Sequence, residues 1–378
     1  MITADHIDNV RKAAHQLLTH HSVGTGKAQP ADIEFSRVGD FNLHREQQDP
    51  DLYGMIDAVY ILYTLGDLAQ VTQRTGRRQW ADKILACQDD EGWFSRLNHR
   101  GHSREHATAY AIGALTLLAV EADEEYLSAV RPLTGMLPLL TDPAAFTKWI
   151  EHLNFRGTIH DIRTKNVGWH HIWRSSHIGG GIPAALGMMG GHVAAWWPGR
   201  VDLNAWFETY FQWLDDHANP RTGYWQRAFW NKFYRSPTLI DMGGAVHFYW
   251  VYAARARPLP YPAKIIDATL TLQKPTGLYR QHPYCIDLDG NFCINRAYLQ
   301  LDSARQQTYR EQVYASATAN FEAIVTALTA RPTDEIYQDS HGLPGALAAL
   351  TECAKLPDFP YADLMANWQH PLDNAWWL

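Results

Sequence analysis

The residues best suited to chemistry are concentrated between positions 168 and 191, in the stretch GWHHIWRSSHIGGGIPAALGMMGG. Its first half contains Trp169, His170, Trp173, Arg174 and His177, which can stack on a ring, bind an anion or transfer a proton. Its second half is small and apolar, which predicts a helix buried on all sides because it offers no polar face to water. We expect the first four of these side chains to bind a substrate and His177 to lie beside its reacting atoms.

A polar residue opens several other runs of small and apolar residues. The equivalent positions are Asp57, His106, His177, Asp241, Asp289 and His341. Helix N-termini carry free N–H groups and a partial positive charge, which favour hydroxyl and carboxylate ligands. Asp is also a preferred N-cap residue, so a purely structural capping role is an equal alternative for Asp57 and Asp289.

The aspartates among these residues suit glycoside hydrolysis. That reaction needs one carboxylic acid to protonate the leaving oxygen and a second carboxylate to activate water or attack the sugar. Asp241 and Asp57 are the expected pair, because each is flanked by apolar or small residues that would raise its pKa. Asp289 is the third candidate.

The histidines indicate a competing chemistry, the removal of a proton next to a carboxylate or carbonyl group, as in lyases and epimerases. His106 and His177 are the candidates for this proton transfer, and His341 is expected to bind the substrate. A guanidinium group suits the carboxylate of a uronic acid, although pairing with an aspartate is an equal alternative. The arginines that lie beside these motifs are Arg104, Arg174 and Arg280.

Three loops share a turn residue followed by an aromatic side chain. They read DDEGWF, PRTGYWQ and PTGLYRQ, and their aromatic residues include Trp93, Trp225 and Tyr279. The glycine is explained by a turn that ends a helix. We expect the aromatic rings to stack on a sugar, with packing between helices as the alternative.

A metal site is not expected from the sequence. His99, His102 and His106 lie close together, but His102 and His106 have the spacing of a helical zinc site only if the helix begins before Glu105. Cys87, Cys285, Cys293 and Cys353 match no metal-binding spacing and are expected to be reduced thiols. The sequence also has no phosphate-binding glycine loop on a strand, so we expect no cofactor.

Six pairs of helices are predicted to position these residues. In each pair a charged amphipathic helix is followed by an apolar helix. The predicted pairs are 5–19 and 52–64, 68–88 and 105–120, 124–140 and 177–189, 203–217 and 241–254, 262–273 and 291–301, and 303–329 and 342–355. Charged helices belong outside and apolar helices inside. The prediction is an all-α (α/α)6 toroid in one domain, 1–378, with an insertion at 141–176 that forms part of the pocket and, at most, a short hairpin at 154–162.

The six pairs and the glycine-aromatic loops resemble the (α/α)6-toroid carbohydrate enzymes. These include unsaturated glucuronyl hydrolases, β-glucuronidases and other uronate-directed glycosidases, toroidal polysaccharide lyases and the N-acylglucosamine 2-epimerase group. The resemblance implies a glycoside hydrolase that acts on a small, uronic-acid-containing oligosaccharide. The alternatives are a lyase or sugar 2-epimerase that uses His and Tyr, and a sugar-binding scaffold without catalysis.

The amino-acid composition limits the kinds of partner that the protein is expected to bind. Hydrophobic residues make up 46% of the 378 positions, enough for a large core, and the net charge is -7 with no run of Lys or Arg, which argues against nucleic acid. No segment reaches the length of apolar residues that a membrane span needs, and the first residues do not resemble a secretory signal. We expect a cytoplasmic protein that binds a small carbohydrate. The apolar tail 375–378 is expected to be buried against this chain or against a second copy in a homo-oligomer.

Overall fold

The computed structural model describes residues 1–22, 41, 51–72, 74–95, 102–122, 125–155, 171–225 and 236–378. These residues form helices, turns and two isolated β-bridges, with no strand among them. The α-helices are α1 (Ala4–His21), α2 (Leu52–Leu65), α3 (Leu68–Val71), α4 (Arg74–Leu85), α5 (Arg104–Ala122), α6 (Leu137–Thr141), α7 (Pro143–Phe155), α8 (His171–Met189), α9 (Gly191–Trp196), α10 (Leu203–His217), α11 (Leu239–Ala254), α12 (Pro262–Leu270), α13 (Cys285–Leu299), α14 (Ser303–Ala330), α15 (Thr333–Ile336) and α16 (Leu343–Cys353). The chain is all-α, as predicted.

The apolar helices are buried on all sides. Every residue of α2 is buried, and so is every residue of α16. Asp51 caps the start of α2 by accepting a hydrogen bond of 2.8 Å from the backbone N–H of Tyr53. Gly66 ends α2 in the left-handed conformation, with φ of 73°, which a residue without Cβ adopts without strain.

The buried helices contact one another in a cycle. Helix α2 packs against α5, α5 against α8, α8 against α11, α11 against α13, α13 against α16, and α16 returns to α2. The contacts therefore pass through six helices and close, although the first and last of these helices are far apart in sequence. Asp57, His106, His177, Asp241 and Asp289 lie on these helices, and His341 lies just before α16.

The charged helices present one apolar face. In α10 the buried residues are Trp206, Phe207, Tyr210, Phe211 and Leu214, which recur with the spacing of a single helix face. Helix α14 packs against α1, α13 and α16, and α12 packs against α13. Charged amphipathic helices thus lie against apolar ones, as the alternation in the sequence predicted.

Several predicted helix boundaries are wrong. The helix predicted at 124–140 is replaced by short 3-10 turns at Leu127–Ala129 and Thr134–Met136 followed by α6, in a segment that Pro132 and Pro138 interrupt. The predicted helix 68–88 is divided into α3 and α4. Of the predicted hairpin, residues 154 and 155 belong to α7 and the others lie outside the described residues.

One boundary shift matters for the site. Helix α13 begins at Cys285 rather than at Asn291, with Asp287 accepting hydrogen bonds from the backbone N–H groups of Tyr284 and Tyr279 at 2.9 and 3.1 Å. Asp289 therefore lies inside the helix rather than before it. The early start also turns Cys285 and Asp289 toward the same side, since they are four residues apart.

The apolar tail is buried within this chain. Trp377 is fully buried, and its carbonyl oxygen accepts a 2.5 Å hydrogen bond from the hydroxyl of Tyr60 on α2. The four cysteines are free thiols. No helix in the described ranges is both long and apolar enough to cross a membrane.

Candidate functional site

A cavity of about 330 Å³ lies among four buried helices and the short turn before a fifth. Helices α5, α8, α11, α13 and the turn before α16 supply its wall, together with the loop at 280–284 and Leu378. Its polar and aromatic lining residues are His102, His106, Trp173, His177, His247, Trp250, Arg280, His282, Tyr284, Asp289 and His341. The volume lies at the small end of the range for small-molecule sites.

Five imidazoles form one connected group, here called the imidazole cluster: His102, His106, His177, His247 and His341. His102 and His106 stack with their ring centroids 4.4 Å apart, and His177 lies 4.6 Å from His106 and 4.8 Å from His247. His341 meets His102 edge-on at 5.0 Å. Residues from four separate elements are thus brought together on one side of the cavity.

Burial keeps members of the cluster neutral. Burial lowers the pKa of His106 well below its usual value, and the neighbouring imidazoles lower it further. Burial alone lowers the pKa of His247 to about 3. His247 Nδ1 lies 2.8 Å from the hydroxyl of Ser176, which fixes the orientation of the ring.

Asp57 lies beneath the cluster and is fully buried. Its Oδ1 accepts a hydrogen bond from the hydroxyl of Tyr110 at 2.9 Å and lies 2.9 Å from Nδ1 of His341. Its Oδ2 accepts a 2.6 Å hydrogen bond from the hydroxyl of Ser340. Both carboxylate oxygens of Asp57 therefore have hydrogen-bond partners within the protein. The contact with Nδ1 also fixes the orientation of the His341 ring.

Tyr53 supports the cluster in a similar way. Its hydroxyl lies 2.9 Å from Nδ1 of His106, and its ring stacks on His102 and His106. In both cases the Nδ1 atom of the histidine is the one engaged: Nδ1 of His106 pairs with the hydroxyl of Tyr53, and Nδ1 of His341 donates to the carboxylate of Asp57. The Nε2 atoms of His106 and His341 are consequently the ones available to a ligand.

Asp289 is a carboxyl group of a different kind. It is 2% exposed, and burial followed by the charge of Asp287 raises its pKa well above the usual value, while Arg280 opposes this effect. A protonated carboxyl group that lines a cavity can donate a hydrogen bond or a proton to a substrate. Arg280 lines the same cavity, and its guanidinium lies over the ring of Trp173 at 5.8 Å.

Six of the residues selected from sequence line this cavity. They are His106, Trp173, His177, Arg280, Asp289 and His341. Trp169 and His170 lie outside the described residues. Arg174 belongs to α8, but its side chain also lies outside the description.

Asp241 is part of a helix cap. Its Oδ2 accepts hydrogen bonds from the backbone N–H and the hydroxyl of Thr238 at 3.0 and 2.8 Å, completing a capping box at the start of α11. The described cavity wall includes neither Asp241 nor Asp57. Arg104 is half exposed, lies near Glu91 and Glu105, and covers the ring of Trp93 at 4.4 Å.

The three loop aromatics lie in the core. Trp93, Trp225 and Tyr279 are at most 3% exposed. Trp225 donates a 2.8 Å hydrogen bond from Nε1 to the carbonyl oxygen of Leu214, and Tyr279 packs directly on Gly290. These positions match the alternative of packing between helices.

Other residues of the cavity were not selected from sequence as site residues. His102 was considered only as a metal ligand, and His247 is one turn and a half beyond Asp241 on α11. His282 and Tyr284 follow Arg280 in the loop PTGLYRQHPY, and the run of polar residues after the glycine is the signal that could have revealed them. Leu378 also lines the cavity, and no local pattern indicates this.

Comparison of the chain with protein-family models, with curated proteins and with solved structures gave no match.

Proposed function

We propose that this protein is an enzyme of the lyase or epimerase type, which removes a proton next to the carboxylate of a small acidic sugar within an (α/α)6 toroid. The observation that carries the proposal is the composition of the cavity: Arg280, Asp289 and the imidazole cluster open onto one space of about 330 Å³. The cycle of contacts through six buried helices supports the toroid.

Arg280 is the proposed anchor for the substrate carboxylate. A guanidinium group can hold a carboxylate with two parallel hydrogen bonds, which fixes the orientation of the sugar as well as its charge. Trp173 beneath Arg280 restrains the side chain and provides an apolar surface beside the anchor. Arg280 is exposed, so a neutral sugar would gain no ion pair with it, and the anchor favours acidic sugars over neutral ones.

His177 is the proposed base. It lies between His106 and His247 and lines the cavity, where it can accept a proton from carbon. Asp289 is the proposed acid, which donates its proton to the leaving oxygen in an elimination or back to the carbon in an epimerisation. Such a reaction requires one group that accepts a proton and one that donates a proton.

Glycoside hydrolysis is the second candidate, favoured by the same protonated carboxyl of Asp289. It would need a second carboxylate near the glycosidic bond. Asp57 and Asp241 were the pair expected from sequence, and both are engaged in hydrogen bonds away from the described cavity wall. Proton transfer by an imidazole therefore fits the cavity better.

The test is product analysis on matched pairs of uronate and neutral sugars. We expect an unsaturated or epimerised product from uronates and little conversion of the neutral partners. Arg280→Gln should raise KM for the uronate at least tenfold, whereas Arg104→Gln, a change at a half-exposed arginine outside the cavity wall, should leave KM unchanged.

Release of an ordinary saturated sugar would select hydrolysis and reject the lyase and epimerase reactions. Equal conversion of neutral and acidic sugars, or an unchanged KM in Arg280→Gln, would refute the role of the anchor. Binding of uronates without any product would refute an enzymatic role.

A further inference from the structure

Three members of the imidazole cluster are arranged as metal ligands. The ligand nitrogens of His102, His106 and His341 all lie within 4.8 Å of one another. We propose that these three histidines bind a divalent transition-metal cation of the zinc type. The proposal concerns metal binding alone and does not depend on the reaction proposed above.

The distances suit this chemistry. Zinc–nitrogen bonds of about 2.0–2.1 Å in a tetrahedron place neighbouring nitrogens about 3.4 Å apart. Small movements of His102, which precedes α5, and of the short turn that carries His341 would bring the three nitrogens to this spacing. His106 sits on the first turn of α5 and provides the rigid member of the set.

The outer contacts match those of metal-binding histidines. Such histidines commonly donate their second ring N–H to a carboxylate or another oxygen, which fixes the ring and leaves the other nitrogen to the metal. Nδ1 of His341 lies 2.9 Å from the carboxylate of Asp57, and Nδ1 of His106 lies 2.9 Å from the hydroxyl of Tyr53. In two of the three ligands Nδ1 therefore has an oxygen partner, which leaves Nε2 as the nitrogen for a metal.

The buried carboxylate of Asp57 gives a second reason to place a cation here. Among the described residues, its hydrogen-bond partners are Tyr110, Ser340 and His341, and none of them is Lys or Arg. A cation bound to His341 would compensate the charge of Asp57 through the imidazole ring. Burial of charge is costly without such compensation.

All three ligands line the cavity, so a cation bound to them would be accessible from it. Three protein ligands and one open position are typical of catalytic rather than structural zinc sites. A bound cation would hold water or an oxygen of a small molecule at that position, in the same space as Arg280 and Asp289. Three imidazole ligands favour zinc and neighbouring transition metals over magnesium or calcium, which prefer oxygen ligands.

The experiment uses the full chain, freed of any histidine tag and treated with a chelator that is then removed. Titration with zinc chloride should show one tight equivalent by calorimetry, and zinc should raise the melting temperature. Cobalt chloride should give the visible absorption typical of four-coordinate cobalt. These readouts require neither substrate nor turnover.

Single substitutions test which residues bind the metal. His102→Gln and His341→Gln should each lose the tight equivalent, and Asp57→Asn should weaken zinc binding about 10–100-fold because it removes the outer contact of His341. The matched control is His282→Gln, which changes a histidine of the same cavity outside the set and should bind zinc as the wild type does. Circular dichroism of each variant verifies that it is folded.

The proposal is overturned if the chelated wild-type protein takes up no tight zinc or cobalt, which would leave the cluster as packed neutral imidazoles. It is also overturned if folded His102→Gln and His341→Gln bind zinc as tightly as His282→Gln. Should one ligand variant fail to fold, the other and the wild-type stoichiometry still decide the question.

Discussion

Replacing Asp289 by asparagine tests whether the acid of the cavity is protonated when the protein is folded. In the unfolded chain this carboxyl ionises near its ordinary pKa of 3.8, whereas burial raises its pKa well above that value in the folded protein. As the pH rises above 4, the unfolded state loses the proton first. Asp289 therefore makes the wild-type protein less stable as the pH rises. The Asp289→Asn variant lacks this contribution to the pH dependence.

The magnitude follows from this linkage. The stability difference, Asp289→Asn minus wild type, should increase by about 1.4 kcal/mol for each pH unit above 4 until the folded-state pKa is reached. From pH 4 to pH 7 the increase is limited to about 4 kcal/mol. Taking the difference cancels the contributions of every other ionisable group that the substitution leaves unchanged.

The assay is urea unfolding of both proteins at half-unit steps from pH 4 to pH 8. The control is Asp8→Asn, which changes an exposed carboxylate on α1 and should give a flat difference. The pH at which the Asp289→Asn curve levels off measures the folded-state pKa directly. A flat curve, or one that falls as the pH rises, would mean that Asp289 is ionised in the folded protein and would refute its role as an acid.

Two further predictions concern the packing around the site. Burial alone would raise the pKa of Glu352, but Arg296 and its neighbours lower this pKa to about 2. The stability that Glu352 contributes is therefore present above pH 4.5 and is lost as the pH falls toward 2. Glu352→Gln should cost about 3–5 kcal/mol in urea unfolding at pH 7, because it leaves the half-buried Arg296 without its carboxylate, and a cost under 1 kcal/mol would contradict this account. Gly290→Ala should destabilise the protein by about 1–3 kcal/mol, since a Cβ there would lie 2.1 Å from the ring of Tyr279. Gly135→Ala, which meets no atom within 4 Å, is the control, and equal melting temperatures of the two variants would refute the packing argument.

The fold was predictable as far as it depends on local pattern. The alternation of charged and apolar helices is visible in composition alone, and α2, α10, α11 and α16 follow the predicted positions closely. The prediction failed where a proline or an early cap decides the boundary. Helix α13 starts six residues before the predicted position because Asp287 forms a cap with Tyr284, and this moves Asp289 into the helix.

The site was predictable only in part. His106 and His341 could be found because each lies at the start of an apolar helix, and Arg280 because it follows a turn. His177 could be found from the run of small residues after it, although α8 begins six residues earlier, at His171. The role of Asp57 could not be found, since its partner Ser340 is 283 residues away in sequence. Contacts between residues so far apart in sequence depend on how the buried helices pack against one another. No local sequence pattern predicts them.

The central claim is that the cavity removes a carbon-bound proton from an acidic sugar, and exchange with deuterated solvent tests it most directly. The protein is incubated with uronates in D2O, with and without added zinc, and the sugar is analysed by nuclear magnetic resonance. We predict that the proton at the carbon next to the carboxylate is either replaced by deuterium or lost in an unsaturated product, at a rate that falls at least 100-fold in His177→Gln. Sugars that keep this proton, or that lose it equally fast with His177→Gln, would contradict the claim.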